Sequence, residues 1–260
     1  MKEICRWSLD WTELMNHLRD EERYHFNPDK LKVSVISLER KSRVALTLKS
    51  LAKQKIPHEV FPAVDGLTGF EIGVLQTYAG KKRLKRLQRL SQKSYEEAKN
   101  LYSKVDQLSD KGLRDSIHEA LRFGCLLSHA FLWQKMLAAQ IPATVILEDD
   151  VLIAEDFSDR LIVLLQSLPT SWDLLYLNGC FIKFGQRFAP GLRLSRGGLC
   201  TFGYVISLSG ANKLLVALEG SDVPIDHILD QEVLTGRVIA FHADPALVEV
   251  MPFLESTLAY

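Results

Sequence analysis

Ala143-Thr144-Val145-Ile146-Leu147-Glu148-Asp149-Asp150 is the stretch on which the reading of this chain turns. Its first five residues are apolar or β-branched, the pattern of a buried strand. Three carboxylates follow without a break. Buried and unpaired, each would be strongly unfavourable, and their mutual repulsion would raise their pKa values unless a cation sat between them. Side chains alternate along an extended chain, so Glu148 and Asp150 are expected on one side and Asp149 on the other. Two oxygen ligands at the carboxyl end of a parallel strand form half a site for a hard divalent cation. Open α/β sheets also take their ligands at that end. The plainer reading is an acidic loop capping a helix over about 156–168.

Further strands and helices alternate outward from this point. Residues 32–38 read as a short buried strand. Glu39-Arg40-Lys41-Ser42-Arg43 leads into a helix running to about Lys55, closed by Pro57. Residues 59–61 make a second strand and 63–66 a turn. Strand, helix, strand is the start of an α/β fold with a parallel sheet. A helix over 124–139 carries Leu126, Leu127, Ala130, Phe131, Trp133 and Leu137 on its apolar face. Beyond the acidic triplet come a helix at 158–168, a strand at 173–177 ending in Asn178-Gly179, a strand at 201–207, a helix at 210–218 and a late strand at 238–241. His242, Asp244 and Pro245 are expected to end that strand.

Two segments differ in character. Residues 4–18 place Ile4, Trp7, Trp11, Leu14, Met15 and Leu18 at helical spacing, with an acidic polar face that anionic lipid would repel. They predict an amphipathic helix packed on the domain itself. Residues 1–30 thus read as an N-terminal extension and 31–260 as a single domain. Residues 81–120 read as an inserted helical segment opening on Lys81-Lys82-Arg83-Leu84-Lys85-Arg86. A solvated helix face is the expected reading of this basic run, with a patch for an anionic acceptor or a membrane surface as the sharper one. No aromatic residues interleave it, which speaks against nucleic acid.

Lys+Arg and Asp+Glu both number 32, and a zero net balance also disfavours a dedicated nucleic-acid binder. The four cysteines have no CxxC spacing, which excludes finger and redox motifs and suggests reduced thiols. No apolar leader opens the chain and no stretch is long enough to span a bilayer, so the expected location is cytoplasmic, with peripheral membrane contact left open.

Several motifs in order carry a resemblance. Val35-Ile36-Ser37-Leu38 with Arg40 and Arg43, Gly124-Cys125-Leu126-Leu127-Ser128-His129 with Trp133, the strand ending in Glu148-Asp149-Asp150, residues 201–207 with Gly210-Ala211, and Pro224-Ile225-Asp226 together resemble glycosyltransferase family 25. The family includes lipooligosaccharide and collagen galactosyltransferases. The resemblance implies a GT-A type, Rossmann-like nucleotide-diphospho-sugar transferase fold. It also implies a UDP-sugar donor, often UDP-galactose, inversion at the anomeric carbon, a saccharide or glycolipid acceptor, and Mn²⁺ or Mg²⁺.

On that resemblance, Glu148 and Asp150 are expected to hold the metal, with His242 completing its shell. Glu148 stands where a strict Asp-x-Asp would have aspartate. Asp149 would act at the donor's ribose or sugar. Ser37, Arg40, Arg43, Asp65, Ser128 and His129 would meet the donor, Arg through its planar fork. His129 would orient the acidic loop or touch phosphate. Asn178, Gly203 and Asp230 would meet the acceptor. Asp226 is the first candidate for the base that inverting transfer needs, with Asp230 and Glu232 behind it. Against these stand plainer roles: a surface ion pair for Arg43, a turn for Asp65 and a helix cap for Asp226. Two rival functions use the same residues: a metal-dependent nucleotide-sugar phosphohydrolase and a non-catalytic sugar-binding module.

Overall fold

The computed structural model describes residues 10–30, 32–38, 41–68, 70–90, 105 and 108–251, with the side chains of 29 and 41–43 excepted. At its centre, β1 (Val33–Ser37) and β3 (Ala143–Glu148) pair in parallel, with Val33 opposite Val145 and Ile36 opposite Glu148. β2 (His58–Pro62) joins the free side of β1, again in parallel. The connection from β1 to β2 runs through the helix α2 (Lys41–Lys53), the crossover unit expected from strand, helix, strand.

On the other side of β3 lies β8 (Gly203–Ser207), antiparallel, followed by β5 (Leu174–Tyr176), β9 (Ala240–Ala243), β7 (Leu192–Ser195) and β6 (Phe184–Ala189). β7 and β8 run against the remaining strands of this mixed sheet. β4 (Val151–Ile153) and β10 (Val248–Val250) form a separate antiparallel ribbon directly after the acidic triplet.

The two sheet faces separate by alternation. Ile146, Tyr204, Ile206 and Tyr176 face a layer built on Leu126, Ala130 and Trp133 of α5 (Lys111–Ala138), joined by α7 (Leu208–Leu218) and α8 (Ile225–Leu234). Val33, Val35, Val145, Leu147, Val205 and Phe241 face the opposite way, against Leu51 of α2 and Phe157, Leu161 and Leu165 of α6 (Phe157–Ser167). A strand apolar on both faces is what a sheet covered by helices on both sides requires.

α1 (Trp11–Asp20) opens with Asp10 accepting from Thr12 N at 2.9 Å and Glu13 N at 3.1 Å. It buries Met15 and Leu18 completely in the second layer. Residues 1–9, which include Ile4 and Trp7, lie outside the described residues. Among the described residues, no helix is long and apolar enough to cross a membrane.

The basic run differs from the expected solvated face. Within α4 (Lys81–Leu87), Arg83 is buried and its Nε donates to Glu119 Oε1 at 2.7 Å. Its Nη1 and Nη2 donate to the carbonyls of Ser221 and Val223, both at 2.9 Å. Neutral-looking packing rules miss this because the partner acid lies 36 positions away, on α5. The helix expected from 124 begins at Lys111, capped by Asp110 accepting from Leu113 N at 3.0 Å, so residues 111–120 are continuous with the core helix, while 91–104, 106 and 107 lie outside the described residues.

The cysteine expectation is also corrected. Cys180 and Cys200 form a disulfide with Cα atoms 5.5 Å apart. The pairing follows from an antiparallel bridge, in which Cys180 N donates to Leu199 O at 2.8 Å and Leu199 N to Cys180 O at 2.7 Å. Spacing along the chain does not show such a bridge.

Candidate active site

A cavity of about 300 Å³ opens beside the carboxyl end of β3 and the start of β8. Arg122, Cys125, Glu148, Phe181, Cys200, Thr201, Asp226 and His227 contribute to its walls. Each comes from a different constraint. Arg122 and Cys125 are three apart on α5 and share a face with His129, four residues further on. Glu148 ends β3, Thr201 leads into β8, and Asp226 and His227 lie in the first turn of α8.

Glu148 is half-buried and accepts a hydrogen bond from Thr201 Oγ1 at 2.5 Å. His129 Nε2 lies 3.8 Å from Glu148 Oε1, too long for a hydrogen bond but close enough for electrostatic contact. Behind it, His129 Nδ1 lies 2.7 Å from the Tyr204 hydroxyl, which also accepts from Trp133 Nε1 at 3.0 Å. An indole N–H only donates, so the Tyr204 oxygen accepts from Trp133, and its contact with Nδ1 fixes the His129 ring with Nε2 facing Glu148.

Asp149 turns away, and its Oδ2 accepts from Ser37 Oγ at 2.7 Å. Asp150 is buried, and its carbonyl accepts from Met251 N at 2.9 Å, tying the triplet to the end of β10. Cys125 is partly exposed. Loss of hydration holds its thiol well above the usual range, and Glu148, Asp226 and Asp150 add to this, so all three acids act on the same point. Asp226 accepts from His227 N at 2.9 Å and Cys200 N at 3.3 Å, which fixes its carboxylate against the disulfide segment.

The ligand atoms of Cys125, His129 and Glu148 also lie within 4.8 Å of one another. Sulfur, nitrogen and oxygen together suit a softer metal than Mg²⁺. Glu148 and Asp150, by contrast, offer the oxygen donors a hard cation takes.

Several expected site residues have other duties. Ser128 Oγ accepts from Val64 N and donates to Gly124 O, both at 2.8 Å, and so docks the loop after β2 onto α5. Asp65 Oδ1 accepts from Leu67 N at 2.9 Å, the plain turn. Asn178 Nδ2 donates to Val248 O at 2.7 Å, and Gly203 packs between the side chains of Leu147 and Val248, so neither lines the cavity. Asp230 pairs with Lys183 Nζ at 2.9 Å and accepts from Gly198 N at 2.9 Å. Glu232 is paired with Arg237 at 2.6 Å. Arg40 lies outside the described residues, as does the side chain of Arg43.

His242 sits inside β9 rather than past its end, in register with Tyr176, whose ring stacks on it at 4.7 Å. Its Nε2 lies 2.9 Å from Ser195 Oγ and 3.4 Å from Gly197 O. Burial pushes its pKa down to about 4, outweighing the Gly197 carbonyl and Asp244. The late strand returns to the sheet three positions from β3, with β8 and β5 between.

Sequence reasoning missed Arg122, Phe181 and His227 as cavity residues. The spacing of Arg122, Cys125 and His129 was the available signal for the first. Nothing local marks Phe181, because the disulfide that places its neighbour is a long-range contact.

Comparison with known proteins bears on this arrangement. Residues 30–187 match Glycosyltransferase family 25 (LPS biosynthesis protein). The "Probable inactive glycosyltransferase 25 family member 3" of Rattus norvegicus is 36% identical over 101 residues, covering 36% of this chain and 18% of the relative. Procollagen galactosyltransferase 1-B of Xenopus laevis is 36% identical over 115 residues, covering 41% and 19%. Human procollagen galactosyltransferase 2 is 31% identical over 115 residues, covering 41% and 18%. The chain thus matches under a fifth of the length of these relatives. The match to the family extends from before β1 through β6 and takes in the acidic triplet: this chain belongs to glycosyltransferase family 25.

Proposed function

We propose that this protein transfers a sugar, galactose first among the candidates, from a UDP-sugar to a saccharide acceptor, with inversion at the anomeric carbon and on a GT-A type scaffold. The observation that carries the reading is that Glu148 and Asp226 share one cavity at the carboxyl end of β3, in a member of glycosyltransferase family 25. Assembly of lipopolysaccharide is the setting the family description suggests, and a cytoplasmic or membrane-peripheral location is part of the proposal.

The oxygen donors of Glu148 and Asp150 suit Mn²⁺ or Mg²⁺. When bound, such an ion neutralises the departing diphosphate. The other roles belong to the chain. Thr201 holds Glu148 in orientation through its hydrogen bond, with the His129 ring beside it. Arg122 offers positive charge to the donor from the α5 side of the cavity. Asp226, held by two backbone N–H groups, takes the proton of the acceptor hydroxyl. That oxygen bonds to the anomeric carbon as the carbon–phosphate-oxygen bond breaks, and the electron pair leaves with UDP.

The test is UDP release from a panel of UDP-sugars with Mn²⁺, with and without lactose- or glucose-terminated acceptors. Wild type, Asp150→Ala and Asp226→Asn are compared. Acceptor-stimulated, metal-dependent release that falls by about a hundredfold or more in Asp226→Asn is expected. Metal-dependent release that no acceptor stimulates would favour a phosphohydrolase. No release and no UDP binding would leave a non-catalytic member of the family.

A further inference from the structure

Phe181 is the most exposed large apolar side chain among the described residues, at 81%. It also lines the cavity that holds Glu148 and Asp226. Its backbone is left-handed, with φ +48°, a conformation that a bulky residue adopts only when its surroundings force it. Cys200, with φ +71°, is the other cavity residue in this state. Both belong to one cross-braced segment. The disulfide joins Cys180 to Cys200, and Lys183 N donates to Gly197 O at 2.9 Å on the far side of Phe181.

The ring is therefore presented, not left loose. Exposure of an aromatic face and a left-handed backbone are two local penalties at one residue, and the direct inference from such an outlier is to a ligand. The surrounding walls select the ligand's chemistry. Glu148, Thr201, Asp226 and Arg122 are polar, and Phe181 supplies a flat apolar face at the rim. A pyranose matches both surfaces, with C–H bonds on the ring face and hydroxyls around the edge. A lipid chain or an apolar protein surface would strand the carboxylates without water.

We propose that the Phe181 ring is the stacking platform of an acceptor subsite and holds the acceptor's pyranose ring so that its hydroxyl meets Asp226. This rests on the transferase reading above and names the side of the cavity on which the acceptor enters.

Saturation-transfer NMR with methyl glycosides of glucose, galactose, mannose and N-acetylglucosamine, and with lactose, tests the subsite without turnover. Wild type, Phe181→Ala and Phe181→Trp are compared, with acceptor-free hydrolysis of UDP-galactose measured in parallel. The expected result is saturation of ring C–H protons in at least one saccharide. Its affinity should fall about tenfold in Phe181→Ala and survive in Phe181→Trp. Equal affinity in Phe181→Ala, or no saccharide bound by wild type, would overturn the proposal. So would a concentration-dependent dimer in sedimentation that Phe181→Ala abolishes while saccharide binding stays intact. If UDP-galactose is never hydrolysed but saccharide binding still requires Phe181, the donor reading fails and the subsite stands.

Discussion

The hydroxyl of Tyr204 lies 2.7 Å from Nδ1 of His129, with both side chains buried. The contact joins β8 to α5 and sets the orientation of the ring whose Nε2 faces Glu148. Tyr204→Phe removes it at little change in volume. We expect UDP release to fall by about tenfold to a hundredfold, the usual loss when a residue that orients a ligand's partner is removed. The N–H of Trp133 would lose its acceptor, at about 1–3 kcal/mol of stability. Unchanged release with lower stability would reduce Tyr204 to a packing role.

Arg83 and Glu119 form a buried ion pair, with side chains 0% and 5% exposed. Arg86 also reaches Glu119, at 2.8 Å. Arg83 in turn holds the carbonyls of Ser221 and Val223, just before the helix that carries Asp226. Glu119→Gln leaves a buried guanidinium uncompensated and should cost about 3–5 kcal/mol in urea unfolding. A change below 1 kcal/mol would mean the pair is solvated in solution.

Stability should depend on pH through His242. Its folded pKa, about 4, lies below the ordinary value of 6.5. The unfolded chain therefore binds the extra proton first, and stability is lost as pH falls from about 6.5 to about 4. The full contribution is about 3 kcal/mol, from the 1.36 kcal/mol attached to each pKa unit. Urea midpoints at pH 7.5 and 4.5, for wild type and His242→Phe, check this. A pH dependence identical in both proteins would assign the effect to other groups.

The disulfide closes a loop with a sequence separation of 20. Cys180→Ser with Cys200→Ser should lower stability by about 3 kcal/mol through the entropy of the unfolded chain. Asp226 accepts from Cys200 N, so transfer should fall more than donor hydrolysis does. A parallel fall in both would place the disulfide's effect on the whole cavity.

Much of the sheet was legible because each element declares itself within a few residues. The apolar run at 143–147 and the alternation around Val33 and Val35 need no distant partner to be read. The edge strand β6 and its neighbour β7 escaped, because Phe184–Ala189 is largely exposed and pairs with β7 in an irregular register. The Gly124-to-His129 motif was visible without its reason. A Cβ on Gly124 would stand 2.7 Å from Val64 O, and one on Gly66 would stand 2.2 Å from Ala120 O. The motif is a close approach of loop to helix as much as a binding feature.

By itself the sequence determined that a buried strand delivers three carboxylates to a sheet edge, and that Asp149 turns away from its neighbours. Local alternation and the cost of burying charge act within a few residues, so they can be read along the chain. Only the tertiary structure decided the rest. It placed Asp226 in the cavity with Glu148, set His242 three strands from β3, buried Arg83, and locked Phe181 at the rim. Each of those depends on contacts between residues tens of positions apart, where packing and the pairing of β5, β8 and β9 choose the partner.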